Sequence, residues 1–133
     1  MSEELSLEAL EKAIAAVEEG LRDQAQYPQV LTVRDGVIQR FEVAMDLSRK
    51  MIIRVLKEKF ALDDLLANNK TFIREGARFG LIADAEHWMG HLDARNNSSH
   101  TYDAVLAAKV FADVPQFLDD ARDLLARLKN AVA

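Results

Sequence analysis

Cysteine is absent from the 133 residues, so disulfide cross-links and thiolate chemistry are both excluded. No uninterrupted apolar run approaches the ~20 residues needed to span a bilayer, and the acidic start MSEELSLEAL lacks the basic region and apolar stretch of a secretory signal. A cytoplasmic location without membrane contact is therefore expected. Positive charge is also scarce. Lys and Arg number 17 against 22 Asp and Glu, for a formal net charge of −5, which argues against a surface built for sequence-blind binding to bulk nucleic acid. No glycine-rich phosphate loop occurs and no serine sits in a nucleophile elbow. What is present, half hydrophobic and 29% charged residues, is the balance of a soluble globular chain. Its length suits one domain over residues 1–133.

Leu7, Leu10, Ile14, Val17 and Leu21 recur at the three- and four-residue spacing of an amphipathic helix, with Ser2 or Ser6 as its cap. This helix is expected to end near Arg22, followed by a connecting loop from Asp23 to Thr32 that contains Pro28. A long helix over 33–60 carries the stripe Val37, Phe41, Ala44, Ser48, Ile52, Val55 and Leu56. Val43, Leu47 and Met51 form a second flank, and a helix with two apolar flanks needs two neighbours. Asp63 and Asp64 lead into a turn, Asn68 and Asn69 cap a third helix through Phe72, Ile73, Ala77 and Phe79, and Gly80 supplies its left-handed stop. Asp84 caps a fourth helix, on which Ala85, Trp88, Met89 and Leu92 share a core-facing arc of about 100° and His87 and His91 lie outside it. A short helix through Val105, Leu106 and Val110 begins at Thr101 or Asp103. A last helix, capped by Asp113 with Pro115 in its first turn, turns Phe117, Leu118, Ala121, Leu124, Leu125 and Leu128 inward. The expected fold is all-α, an up-and-down four-helix bundle with additional short helices.

The stretch RNNSSHTY, Arg95 to Tyr102, gathers a guanidinium, an imidazole and a phenol. Residues five apart on a continuous helix stand about 140° apart, so Arg95 and His100 share a face only if the helix breaks. Asn96, Asn97, Ser98 and Ser99 favour such a break, because their short side chains compete for nearby backbone groups. Arg95 is then expected to end one helix while His100 folds back beside it. By angle Asn96 faces the core and holds the break's backbone, and His91, one turn before Arg95, assists phosphate binding. An imidazole beside a fixed cation suits phosphodiester cleavage without a metal. His100 moves the proton of an RNA 2′-hydroxyl or of the leaving oxygen, and Arg95 grips a phosphate oxygen. By itself Arg-x-x-x-x-His arises often by chance.

Asp84, His87 and His91 have the spacing of a zinc face, yet no glutamate follows His87 as a metalloprotease requires, and a surface histidine pair is the ordinary explanation. Charge is uneven along the chain, acidic over residues 1–26 and basic over 34–59. The second helix therefore either faces a polyanion or presents a solvated surface of opposite charges.

RDGVIQRFE at 34–42, IREGARFGLI at 73–82, Trp88 and RNNSSHTYD at 95–103 resemble the bacterial and archaeal HEPN-domain proteins once labelled nucleotidyltransferase substrate-binding proteins. The resemblance spans roughly residues 5–128, and RN-x-x-SHTYD is its specific part. It implies a small helical bundle that forms a homodimer and is encoded beside a minimal nucleotidyltransferase, the two acting as toxin and antitoxin. It implies further that Arg95 and His100 are metal-independent ribonuclease residues at a cleft between protomers, and that Tyr102 accepts AMP from the partner enzyme. No cofactor is implied. One departure stands out: the family's second helix usually continues with an aromatic and a Trp-Lys, where this chain reads MDLSRK at 45–50, which puts Arg49 in place of a large apolar group.

Two alternatives stay open at the level of residues. A binding subunit that presents a nucleotide or other substrate to the nucleotidyltransferase needs Arg95, Asn96 and His100 only to grip phosphate, and a plain interaction module needs none of them. Tyr102 can equally be a core or interface tyrosine. The flank of Val43, Leu47 and Met51 signals either a dimer face or a wider core.

Overall fold

The apolar spacing resolves into five α-helices in the computed structural model, which describes residues 6–63 and 70–133. These are α1 (Glu8–Gln26), α2 (Leu31–Phe60), α3 (Thr71–Arg78), α4 (Ala85–Asn97) and α5 (Ala104–Val132), with a 3-10 turn, Ser98–His100, between the last two. Helices α1, α2, α4 and α5 make an all-α up-and-down bundle, and no strand occurs among the described residues.

Helix α1 buries Leu10, Ala13, Ile14 and Val17, and the Ser6 hydroxyl accepts the Glu8 N–H at 3.3 Å. It runs past Arg22 to Gln26, which shortens the expected loop to residues 27–30. Its last turn is largely exposed, so no apolar spacing marks it. On α2 every member of the main stripe is buried, including Ser48, whose hydroxyl donates to the Ala44 carbonyl at 2.8 Å and so enters the core with its proton satisfied. The second flank divides: Met51 is buried, Leu47 is partly so, and Val43 is half exposed. The turn expected at Asp63–Asp64 and the cap expected at Asn68–Asn69 involve positions 64–69, outside the described residues.

Helix α3 stops where Gly80 takes φ of 81°, and the Leu81 and Ile82 N–H groups both donate to the Gly76 carbonyl, at 2.8 and 3.1 Å. Asp84 caps α4 through the His87 N–H at 3.0 Å. Asp103 caps α5 through the N–H groups of Val105 and Leu106, at 2.9 and 3.2 Å. The helix break expected at Asp113 does not occur. Ala107, Val110, Val114, Phe117, Leu118, Ala121, Leu124 and Leu128 form one buried stripe along a single helix, and this burial outweighs the backbone hydrogen bond that Pro115 removes inside it.

Charged contacts fix the helix directions. Lys129–Glu11 at 2.8 Å and Arg122–Glu18 at 2.7 Å set α5 antiparallel to α1, and Arg40, 2.9 Å from the Ala16 carbonyl and 3.1 Å from Glu19, ties α2 to α1. Between the helices, Phe41 meets Phe117 edge-on at 4.9 Å and Trp88 meets Phe117 at 5.8 Å. This up-and-down order places the α1–α2 turn and the α4–α5 connection at one end of the bundle. Tyr27, Val30, Leu31, Tyr102 and Val105, all exposed, belong to that end.

Candidate functional site

Arg95 sits on the last turn of α4 and reaches across to α2. Its Nε and Nη2 donate to the two oxygens of Asp46 at 2.9 and 3.0 Å, the paired geometry a planar guanidinium offers a carboxylate. Nη1 donates to Glu42 at 3.2 Å and to the Ser98 hydroxyl at 3.0 Å. That buried hydroxyl lies 2.6 Å from Glu42 Oε2 and 2.7 Å from the Arg95 carbonyl oxygen, one proton shared between two acceptors. Hydrogen bonding to Asp46, with the charges of Asp46 and Glu42 outweighing partial burial, holds Arg95 still more firmly protonated than a free guanidinium.

Beside this network Met45, Asp46, Arg49, Leu92, Arg95, Asn96 and Ser99 line a cleft of about 290 Å³ between α2 and α4. Asn96 was expected to face the core; it is exposed at the cleft instead. The row Leu92–Asn96 leaves the core in the final turn of α4. Arg49, at the departure from the family pattern, lays its guanidinium over the Phe72 ring, 5.2 Å from the centroid.

His100 does not line the cleft. It is exposed, with Nδ1 3.2 Å from the Tyr102 hydroxyl and the two rings edge-to-face at 5.8 Å. Tyr102 is 85% exposed and so is not a core tyrosine. The expected fold-back between Arg95 and His100 is not formed, because the chain stays right-handed through Ser98 and Thr101 and turns extended only at Asp103. The hydroxyls of Ser98 and Ser99 satisfy the carbonyls of Arg95 and Asn96, continuing the helix as a 3-10 turn where a hairpin was expected. One chain therefore brings Arg95 together with Asn96, and His100 together with Tyr102, with no hydrogen bond between the two pairs.

His91 turns away from the cleft, contrary to the phosphate-assisting role expected of it. It is 1% exposed and lies between two carboxylates of α5, with Nδ1 2.6 Å from Asp113 and Nε2 2.6 Å from Asp120. The Trp88 and Phe117 rings stand edge-on to it. Only the imidazolium carries an N–H for each acceptor. Burial alone would lower its pKa, but the two hydrogen bonds and the charges of Asp113 and Asp120 together raise it above the ordinary value. His87 is exposed and contacts Asp84 and Asp120 at 3.3 and 3.2 Å. Among the described residues no three of His, Cys, Asp and Glu converge as metal ligands, and no described helix is long and apolar enough to cross a membrane.

Glu42, Asp46 and Asp120 were not singled out by sequence reasoning, Asp113 was read only as a helix cap, and Ser98 only as part of the break. Glu42 and Asp46 are one helical turn apart on α2, a carboxylate pair suited to an arginine, and that spacing was the available signal. Which arginine they meet is set by a separation of 49 and 53 residues.

Comparison with known proteins agrees with this fold. Residues 5–130 match the family described as nucleotidyltransferase substrate binding protein like. A protein of Haemophilus influenzae (strain ATCC 51907 / DSM 11121 / KW20 / Rd), named probable ribonuclease HepT, is 35% identical over 140 residues, covering 98% of this chain and 96% of its own. A solved Haemophilus influenzae structure, described as revealing the fold of a substrate binding domain of a nucleotidyltransferase, superposes with a TM-score of 0.82 at 33% identity, covering 93% of this chain and 99% of that one. A crystal structure from Thermus thermophilus gives 0.79 at 31% identity, covering 90% and 98%. With almost its whole length matched and an all-α bundle in common, the chain belongs to the nucleotidyltransferase substrate binding protein-like family.

Proposed function

We propose that this protein is a ribonuclease toxin that cleaves RNA without a metal and is silenced by a minimal nucleotidyltransferase acting on Tyr102. The observation that carries this reading is the exposed His100–Tyr102 pair, an imidazole 3.2 Å from a phenol at the protein surface. His100 accepts the proton of a ribose 2′-hydroxyl, the freed oxygen attacks phosphorus, and the 5′-oxygen leaves with a proton returned by an imidazolium, so the product ends in a cyclic phosphate. Arg95 stabilises the charge gathering on the phosphate oxygens. An adenylyl group placed on the Tyr102 oxygen, with pyrophosphate released from ATP, adds negative charge and bulk in contact with His100. The relative named probable ribonuclease HepT supports the activity, and the family description supports the partner.

With no hydrogen bond joining Arg95 to His100 among the described residues, a homodimer is favoured, in which one protomer's imidazole approaches the other's guanidinium. Half-exposed Val43 and the exposed apolar end that carries Tyr27, Leu31 and Val105 provide surface for a second copy and for the nucleotidyltransferase. The second reading is a non-catalytic subunit that binds a nucleotide or other substrate. It is favoured by the likeness to a structure described as the substrate binding domain of a nucleotidyltransferase. Expression of the wild type, Arg95→Ala and His100→Ala separates the two. The ribonuclease reading expects growth arrest and cyclic-phosphate fragments from the wild type alone, persisting in EDTA, whereas intact RNA in all three leaves only the binding subunit.

A further inference from the structure

The cleft between α2 and α4 holds two guanidinium groups in different states. Arg95 has its donors committed to Asp46, Glu42 and Ser98. Arg49, one turn further along α2, makes no hydrogen bond or ion pair among the described residues; its only recorded contact is the Phe72 face beneath it. Stacking on a ring fixes the plane of a guanidinium without using any of its five N–H donors. Asn96, Ser99 and Leu92 line the cleft from the α4 side, and Met45 lines it from α2, one turn before Arg49. Asp46 and Glu42 are both engaged by Arg95, which leaves Arg49 as the guanidinium of the lining with no ion pair among the described residues.

We propose that this cleft is a phosphate subsite for a nucleotide, with the Arg49 guanidinium as its anchor, the Asn96 amide as a further donor, and Met45 and Leu92 as the floor for the sugar. A volume of about 290 Å³ stands near the lower bound of small-molecule sites, roughly 300 Å³, room for one nucleotide unit. The subsite deepens the ribonuclease reading by giving a strand a fixed phosphate position away from His100, and it rests on that reading only for the identity of the strand. Arg49 is a binding residue, not a catalytic one, since it touches neither His100 nor Tyr102.

The test is binding of a labelled 2′-O-methyl RNA hexamer, which cannot be cleaved, by the wild-type chain, Arg49→Met and Arg49→Lys across a salt series, with AMP as a separate ligand. Arg49→Met keeps an unbranched side chain on Phe72 and is expected to retain the fold by circular dichroism. Affinity for the hexamer should fall roughly tenfold in Arg49→Met, and the slope of log K against log salt should decrease by about 0.7, the contribution of one single-strand phosphate contact. Arg49→Lys should keep the slope. Arg49-dependent binding of AMP without the hexamer supports the site as one for free nucleotide, and the reverse supports strand phosphate. Equal affinity and slope in the wild type and Arg49→Met, or no binding of either ligand by the wild type, overturns the subsite even if RNA is cleaved. Arg49-dependent binding with no cleavage of ordinary RNA by any variant upholds the subsite while removing the ribonuclease reading.

Discussion

Replacing His91 with alanine withdraws the one cation between Asp113 and Asp120 and leaves a gap against Trp88 and Phe117. Asp120 keeps Gln116, at 3.1 Å, and His87, whereas Asp113 has no other side-chain partner among the described residues. Breaking a buried ion pair from one side costs about 3–5 kcal/mol. Both carboxylates retain some exposure, 23% and 16% of their side-chain surface, so water recovers part of the loss and about 3 kcal/mol is expected. With about 2.1 cal/mol/K of unfolding entropy per residue over 133 residues, this corresponds to a Tm lower by about 10 °C.

The pH dependence has a definite sign. A folded pKa raised above the ordinary value, about 6.5, gives stabilisation that is complete below that ordinary value and is lost as pH rises through the folded one. Thermal melts of the wild type and His91→Ala between about pH 5.5 and 9 should show the widest gap at the acid end, narrowing towards alkaline pH. The groups facing the ring are Asp113 and Asp120 of α5, with His87 of α4 sharing Asp120. A gap that does not change with pH, or one below about 3 °C, would refute the buried imidazolium.

Asp46→Asn should release the Arg95 guanidinium and strengthen binding of an uncleavable RNA several-fold. Stability should change by less than about 1 kcal/mol, because the pair is exposed on its Asp46 side; unchanged or weaker binding by anisotropy counts against the acids as restraints on Arg95. Two glycines should respond to alanine with opposite signs, although an added Cβ meets nothing within 4 Å at either. Gly80→Ala is expected to destabilise by about 1 kcal/mol, because φ of 81° disfavours a side chain. Gly90→Ala, inside α4, should stabilise by about 0.5–1 kcal/mol in denaturant titrations. Tyr102→Phe should keep ribonuclease activity and gain no adenylyl mass when co-expressed with the partner nucleotidyltransferase. Equal silencing and equal labelling of wild type and variant would remove Tyr102 as the acceptor.

Local signals were legible in the sequence. The α2 stripe, the Asp84 and Asp103 caps and the left-handed Gly80 stop are each decided within one or two turns, so spacing and side-chain chemistry suffice to place them. The last turn of α1 is largely exposed and so carries no apolar spacing, whereas the passage of α5 through Pro115 depends on packing, and neither was read from the sequence. His91 illustrates the limit most directly. Its angle on α4 placed it outside the Trp88 arc, and an imidazole outside an apolar arc ordinarily meets solvent. Here α5 covers that flank and supplies two carboxylates, 22 and 29 residues away in the chain, and no spacing rule links them to His91.

The same difficulty explains why Arg95 was assigned to phosphate before its resting partners were visible. Its contacts with Asp46 and Glu42 are compatible with that role on energetic grounds. The Asp46 side chain is 58% exposed, and exposed ion pairs contribute about 0–1 kcal/mol. A phosphate that takes over the same paired donors in a partly closed cleft gains charge-assisted hydrogen bonds of about 1.5–3 kcal/mol each. Asp46 can rotate into water at little cost, while Glu42, with 26% of its side-chain surface exposed and bonded to Ser98 as well, stays and keeps Nη1 aimed. On the ribonuclease reading a phosphate would therefore displace Asp46, which otherwise holds the guanidinium in its resting place against α2. His100 has no such restraint among the described residues, where its ring nitrogen meets the exposed Tyr102 hydroxyl. On the proposed reading this leaves the imidazole to be positioned by an RNA, a second protomer or the nucleotidyltransferase.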